Sequence, residues 1–251
     1  MPITFITGAT SGFGKAAAEK FAANGHALII NGRREDRLLA LSNSLQEQYQ
    51  VAVLPLVFDV RDQQTVFNAV QGLSTEWQQV DILVNNAGLA AGRDFFHEAD
   101  LNDWNTMVDT NIKGFMYVAQ AVSKLMVPLK KGHIINIGSI AGKQVYEKGN
   151  VYCATKHAVD ALNQAMRIDL LRHNIRVTAI HPGAAETEFS LVRLKGDAQA
   201  ASEVYTGMKA LTAEDIAETI YWTTTLPPHV CVNDMIVTCV QQADAFYYNR
   251  I

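Results

Sequence analysis

Ile3-Thr4-Phe5-Ile6-Thr7-Gly8-Ala9-Thr10-Ser11-Gly12-Phe13-Gly14 begins as an apolar run and breaks into a loop carrying three glycines. From Gly12 onward, Lys15, Ala16, Ala17, Ala18, Glu19, Phe21 and Ala22 suit a helix that stops at Asn24-Gly25. The order is strand, glycine loop, helix, and this context makes the glycine pattern informative. Glycines permit a tight turn and let backbone N–H groups approach a pyrophosphate at the positive end of the helix. An ordinary helix start with incidental glycines is the competing reading, and three glycines in a first strand-to-helix turn weigh against it. The spacing is G-x-x-x-G-x-G, not the commoner G-x-G-x-x-G.

The same alternation repeats outward from this unit. Ala27 to Ile30 reads as a second strand, closed by Asn31-Gly32 and followed by a helix from Glu35 to Tyr49. Strands are expected at Val51 to Phe58, Val80 to Val84, His133 to Ile137, Ile175 to Ile180 and Met235 to Val240. Between them the pattern predicts helices at Gln63 to Trp77, Leu101 to Met126, Asn150 to His173 and Ala213 to Thr224. Parallel strands need crossover connections and hide both faces, so the expected fold is doubly wound α/β. It is a Rossmann-type parallel sheet of about seven strands with helices on both sides. No linker or repeat interrupts the alternation, so residues 1–251 are read as a single domain. The least regular stretch, about 184–207, follows the sixth strand at the carboxyl edge where ligands bind, and a mobile lid is expected there.

Composition narrows the partners. Of 251 residues, 49% are apolar and 18% charged, and a net charge of −4 offers no footprint for nucleic acid or anionic lipid. Cys153, Cys231 and Cys239 are odd in number and lack the spacing of a zinc site or a disulfide framework, so no metal is expected. The chain enters its first strand by Ile3 without a basic leader. No apolar run approaches the ~18 residues of a membrane span. The expectation is a cytoplasmic protein acting on a small molecule.

Two places carry chemistry beyond the glycine loop. After the second strand the chain reads Gly32-Arg33-Arg34, with no carboxylate at the strand end. An acidic residue there takes a ribose 2′-hydroxyl, whereas guanidinium gives bidentate bonds to a 2′-phosphate, so NADP is favoured over NAD. Glu35 and Asp36 could neutralise this basic helix start instead. Further on, Tyr152 and Lys156 stand four apart and share one helical face. A phenol titrates near ~10, and a nearby cation pulls that value towards neutrality. Tyr152 is thus a candidate proton donor and acceptor. Ser139 closes the strand before it, where a hydroxyl can donate to a developing oxyanion or simply serve a turn. Asn111 falls inside an expected helix, where asparagine is disfavoured.

Gly8-x-x-x-Gly12-x-Gly14, Asn85-Asn86-Ala87-Gly88, Asn111, Ser139, Tyr152-x-x-x-Lys156 and Pro182-Gly183 together resemble the short-chain dehydrogenases/reductases, in order and across essentially the whole chain. Gly32-Arg33-Arg34, Thr187-Glu188-Phe189 and Arg193-Leu194-Lys195-Gly196 resemble the NADP-dependent branch acting on 3-hydroxy acids, serine and allo-threonine. The resemblance implies that Gly8 to Gly14 hold the pyrophosphate, that Asp59 and Val60 hold the adenine, and that Asn86, Ala87 and Gly88 line the cofactor. It places Pro182, Gly183 and Thr187 by the nicotinamide. Lys156 would also bond the nicotinamide ribose, and Asn111 would kink its helix and hold a proton-relay water. It further implies a homotetramer.

The substrate is less legible. A small acid needs a fixed cation, and Arg193 in the lid is the candidate, with Lys195 second. Gln144 and Val145 are expected on the opposite wall. Glu186 and Lys143 depart from the branch pattern, and an added carboxylate near the site would repel an acid. Cys153 reads as packing, His157 faces elsewhere on its helix, Asp109 and Lys113 read as a solvated face, and His181 precedes Pro182 as a structural residue. Phe246, Tyr247 and Tyr248 in the tail 241–251 suggest a segment that crosses to another subunit. The leading reading is reversible oxidation of a small 3-hydroxy acid such as 3-hydroxypropionate or serine. A carbonyl reductase for neutral ketones or aldehydes and a catalytically silent NADP-binding regulator are the alternatives.

Overall fold

Seven strands, each short and apolar, pair side by side in one all-parallel sheet. The computed structural model describes all residues from Met1 to Ile251. In chain order the elements are β1 (Ile3–Ile6), α1 (Gly12–Ala23), β2 (Ala27–Gly32), α2 (Glu35–Tyr49), β3 (Val53–Val57), α3 (Gln63–Gln71), β4 (Val80–Asn85), α4 (Leu101–Val108) and α5 (Phe115–Leu129). They continue with β5 (Gly132–Ile137), α6 (Asn150–Leu170), β6 (Ile175–Pro182), α7 (Glu188–Arg193), α8 (Ala198–Glu203), α9 (Ala213–Thr225) and β7 (Asp234–Val237). Strand order is β3-β2-β1-β4-β5-β6-β7, so the direction of winding reverses between β1 and β4.

Both faces of the sheet are covered, which is why the strands lack polar alternation. Successive side chains point to opposite sides. Ile6, Ile30, Val84 and Ile135 pack with Phe21 of α1, Leu38 and Leu45 of α2 and Ile216 and Ile220 of α9. Their neighbours Phe5, Ile29, Leu83 and Ile134 pack on the other face with Val66 of α3 and Val118, Val122 and Met126 of α5. No helix is long and apolar enough to cross a membrane.

The doubly wound expectation holds, with local differences that have causes. The helix expected from Leu101 to Met126 is interrupted by a π-turn over Asp109–Gly114. Gly114 sits there because a Cβ would lie 2.7 Å from Val60 Cγ2. Helix α3 ends at Gln71 with Gly72 as its cap, short of Trp77. Strand β7 ends at Val237, short of Val240, which is fully exposed. The irregular stretch 184–207 contains α7 and α8.

Three histidines are buried in the frame. His26 pairs with Thr4 Oγ1 at 2.9 Å, His133 Nε2 pairs with Thr178 Oγ1 at 2.7 Å, and His181 ends β6. Burial lowers all three, His133 to about 3. The native state therefore holds them neutral while the unfolded chain takes up protons near 6.5. The unfolded state binds more protons below that value, so stability should fall as pH drops from about 6.5 towards 3. Urea unfolding across this range should show the decline, and His133→Asn should flatten it. An unchanged slope in the variant would exclude His133 as a cause.

Candidate active site

The glycine loop is packed to contact. Gly8 and Gly12 adopt positive φ of 66° and 50°, and a Cβ on Gly14 would stand 2.6 Å from Asn86 Nδ2. Thr7 ties the loop to the end of β4: its hydroxyl accepts from the Asn86 and Ala87 amides at 3.0 and 2.9 Å. Asn86 Nδ2 donates back to the Thr7 carbonyl at 2.9 Å. Ser11 begins α1 in an extended conformation without capping it through its side chain. The first N–H groups of α1 thus remain available to an anion at its positive end. Ala9 is wholly buried, its amide donating to the Asn31 carbonyl at 2.8 Å, so it shapes the loop from beneath.

Beside the loop stands a basic cluster. Arg34 Nη2 donates to Thr10 Oγ1 at 2.9 Å and to Ser11 Oγ at 3.0 Å. Its Nη1 reaches Glu188 Oε2 at 3.2 Å, and Arg37 Nη1 reaches Glu188 Oε1 at 3.1 Å. Arg33 turns the other way, 3.5 Å from Asp59 Oδ2, which Arg61 also grips at 2.7 Å. Burial raises the Asp59 and Glu188 carboxyls, but bonds and charges from these arginines outweigh it and hold both below the usual range. The sequence expectation covered Arg33 and Arg34 but missed Arg37, Arg61 and Glu188. Arg37 was findable, since it lies three residues from Arg34 on the first turn of α2. The contact of Glu188 was not, because only the fold brings α7 to α2.

At the other end of the cleft, Lys156 Nζ is buried and donates to the Ile137 carbonyl at 3.0 Å, and burial lowers it to about 8. Asn111 lies in the π-turn, accepting from the Leu89 amide at 2.8 Å and donating to the Leu89 carbonyl at 2.7 Å and to Thr155 Oγ1 at 3.1 Å. Asn111 Oδ1 and Lys156 Nζ approach each other across Gly88, where a Cβ would be 3.2 and 3.6 Å from them. Ser139 Oγ accepts from the Ala141 amide at 3.1 Å. The expectation for the phenol is corrected. Burial pushes Tyr152 above its ordinary value and Tyr146 adds to this, while Ser139 and Arg193 oppose it. Lys156 Nζ stands 6.0 Å from the Tyr152 ring centroid, committed to a carbonyl.

The substrate wall also differs from expectation. Arg193 Cζ lies 5.5 Å from the Tyr152 ring and 5.5 Å from the Tyr146 ring, and Phe189 packs on Tyr152 at 5.6 Å. Gln144 does not line the cleft; its Oε1 accepts from the Ala245 amide at 2.8 Å, which turns it to the tail. Val145 is 61% exposed, and Tyr146 takes the wall instead. Lys195 pairs with Asp103 at 2.9 Å outside the cleft. Glu186 is exposed beside Glu19 and Glu214, so its carboxylate does not face the site. Tyr248 and Ala245 of the tail reach the cleft, which also includes Phe13, Arg33, Arg34, Asp59, Val60, Pro182, Gly183 and Thr187. Its volume is about 630 Å³. Cys153 is buried, and His157 Nδ1 lies 2.8 Å from its carbonyl. Asp109 and Lys113 pair on the surface.

The model of the short chain dehydrogenase family matches residues 2–196. The chain belongs to the short-chain dehydrogenases. Among relatives of this short-chain dehydrogenase, the NADP-dependent 3-hydroxy acid dehydrogenase YdfG of Salmonella typhi is 46% identical over 97% of each chain. A sulfoacetaldehyde reductase of Chromohalobacter salexigens is 46% identical, over 95% of this chain and 94% of that one. The closed form of a serine dehydrogenase complexed with NADP+ superposes with a TM-score of 0.92 and 42% identity, covering 99% of both chains. Removing Arg34 should separate the two dinucleotides. Arg34→Leu should weaken NADP binding by roughly 10–150-fold, the ~1.5–3 kcal/mol of a charged hydrogen bond, and leave NAD binding nearly unchanged. Titration of the reduced-nicotinamide fluorescence of NADPH and NADH measures both, and equal losses would assign Arg34 a structural role.

Proposed function

We propose that this short-chain dehydrogenase reversibly oxidises a small 3-hydroxy acid, of the 3-hydroxypropionate, serine or allo-threonine type, with NADP. The observation that carries the acid specificity is Arg193, whose guanidinium stands 5.5 Å from the Tyr152 ring inside the cleft. Arg193 donates to Tyr146 Oη at 2.8 Å and to the Gly92 and Lys148 carbonyls at 3.3 and 3.4 Å. A guanidinium has five N–H donors, so some remain for a carboxylate. Identity to an acid dehydrogenase and to a sulfoacetaldehyde reductase supports an anionic substrate, since a carboxylate and a sulfonate make the same demand on Arg193.

The short-chain dehydrogenase is an NADP-dependent oxidoreductase acting on CH–OH groups, and the residues present suit that cofactor. The uncapped start of α1, the close-packed Gly8, Gly12 and Gly14, and the paired guanidinium groups of Arg34 and Arg37 suit a pyrophosphate and a 2′-phosphate. Thr110 Oγ1 is buried on the cleft wall without a partner in the protein, a polar atom left for a bound group. The wall from Asp59 and Val60 to Asn86, Ala87, Gly88, Pro182, Gly183 and Thr187 would hold the rest. Bound NADP supplies a hydride acceptor at its nicotinamide ring. In the reducing direction Tyr152 gives its phenol proton to the substrate carbonyl oxygen while Ser139 donates a hydrogen bond to the same oxygen; oxidation runs this backwards from the phenolate, after the phenol proton has left, with Lys156 and Asn111 as the polar base behind it. These roles use one continuous cleft, which supports reading 1–251 as one domain.

Neutral ketones or aldehydes are the second reading, favoured by the three bonds Arg193 already makes within the protein and by the apolar Phe189 and Val192 beside it. Absorbance of the reduced nicotinamide, with 3-hydroxy acids, a hydroxysulfonate and simple alcohols and with either cofactor, separates the two. Arg193→Met should raise KM for an anionic substrate by roughly 10–150-fold and spare a neutral alcohol, from the ~1.5–3 kcal/mol of a charged hydrogen bond. Equal kinetics on both would end the acid reading.

We further infer a cytoplasmic homotetramer. Phe246, Tyr247, Trp222 and Ile236 are exposed by 53%, 72%, 45% and 52%, more large apolar surface than one chain covers. The tail itself returns to its own chain, with the Ile251 amide donating to the Gly207 carbonyl at 2.8 Å and Arg250 to the Thr206 carbonyl. Its exposed rings, not the whole segment, would then meet a partner. Light scattering should give four chain masses; a monodisperse monomer would refute the assembly.

A further inference from the structure

His181 takes no part in the proton transfer, yet it is wholly buried at the end of β6, directly against the exit of β5. A Cβ on Gly138 would stand 2.6 Å from His181 Cε1, so the ring packs on the backbone that leads into Ser139. Its Nδ1 lies 3.3 Å from the Ser139 amide nitrogen and 3.2 Å from the Ser139 carbonyl oxygen. On the other side, Nε2 is 3.0 Å from Asp234 Oδ1, off the line of a good hydrogen bond, and 3.7 Å from Asp160 Oδ1. Lys143 closes the group, its ammonium 2.9 Å from Asp160 Oδ1 and paired also with Asp234. The cation that two carboxylates need is therefore built into the chain. Asp160 of α6, Asp234 of β7 and Lys143 of the turn after β5 are the charged groups that face the ring.

This arrangement decides where the proton sits. A carboxylate 3.0 Å from Nε2 repels a lone pair there, so Nε2 carries the hydrogen. In the neutral ring, Nδ1 is then an acceptor and takes the Ser139 N–H. Only a doubly protonated ring would let go of the amide and donate to the carbonyl instead. Burial lowers the His181 value and Lys143 adds to this, with Asp234 and Asp160 opposing. The neutral ring is the form at neutral pH. Ser139 Oγ accepts from the Ala141 amide, which leaves the hydroxyl hydrogen free for a substrate oxygen provided the backbone beneath it is fixed.

We propose that His181 is a positioning residue for Ser139, fixing its backbone through Nδ1 while Asp234, Asp160 and Lys143 fix the ring and its tautomer. The proposal rests on the reading of Ser139 as donor to the substrate oxygen. Protonation of His181 exchanges an acceptor for a donor at Ser139, so it links turnover to pH on the acid side. It also explains why Lys143 and His181 occur together: the cluster carries one net negative charge, which a protonated ring would cancel.

Steady-state kinetics of NADP reduction with the best alcohol of the panel test this, with Ser139→Ala as the reference. His181→Ala should lower kcat by up to ~100-fold, the order expected for a misplaced catalytic group, while KM and NADP binding change little. His181→Asn, whose side-chain carbonyl can accept the same amide, should recover most of the loss. The acid break of the kcat profile should move to lower pH in Asp234→Asn and to higher pH in Lys143→Met, because the two charges act on the ring with opposite sign. Nitrogen NMR of the imidazole reads the tautomer without turnover and should show Nε2–H with a bare Nδ1 at neutral pH. Normal kcat in a folded His181→Ala protein beside an inactive Ser139→Ala protein overturns the positioning role alone, as does an Nδ1–H tautomer. Full activity in Ser139→Ala overturns the role of Ser139 itself.

Discussion

A lysine ammonium withdrawn from water with one carbonyl for company is costly, and much of the surrounding structure keeps it there. Lys156 is 6% exposed and bonded to Ile137 at 3.0 Å. An isolated buried charge is strongly disfavoured unless bonded or paired, so the site tolerates it only with polar groups close by. Gly142 and Gly88 make the approach possible. A Cβ on Gly142 would lie 2.5 Å from the Lys156 carbonyl, and one on Gly88 would intrude between Asn111 and Lys156. The π-turn places Asn111 there, against Leu89 and Thr155. Helical regularity is given up at Asp109–Gly114 so that one amide can face inward, a common use of such turns.

The electrostatics divide the cleft into two ends. The end beside the glycine loop has excess positive charge, with Arg33, Arg34, Arg37 and Arg61 held in place by two carboxylates. At the other end Tyr152 and Lys156 are buried, so they move in the directions burial dictates: the phenol up, the ammonium down to about 8. Burial, with Tyr146 adding to it, outweighs the Ser139 hydrogen bond and the Arg193 guanidinium in setting the phenol value. Glu188 joins the two ends, since α7 carries both the contact to the arginines and, five residues on, the guanidinium beside Tyr152.

The doubly wound fold was legible because apolar runs bounded by glycine and asparagine state where strands end, and three glycines mark the tight first turn between β1 and α1. Tyr152 and Lys156 were legible from a four-residue spacing on a long helix. What the sequence withheld were contacts between distant segments. Gln144 looked like a wall residue until the tail claimed its amide, and Glu186 looked like a threat to an acid until its exposure on the outer surface was seen. Lys143 and His181 looked like unrelated oddities, 38 positions apart in the chain, and only the β5–β6 pairing together with β7 makes them one cluster. No local pattern encodes that meeting.

The β1–β4 pairing also governs how the chain reaches this state. Ile3 pairs with Val80 and Ile6 with Val84, so the centre of the sheet joins segments nearly eighty positions apart. Contacts so distant in sequence form slowly, since loop-closure entropy must be met before they are gained. During synthesis, β1 and β2 can associate long before β4 exists, but the Thr7 hydroxyl has no Asn86 amide to accept until then. The glycine loop therefore acquires its shape only after a third of the chain is made, and the ion pair of Arg34 waits for Glu188. An incomplete chain has the strands but not the site, and its unpaired β1 edge stands open to other chains in the interval.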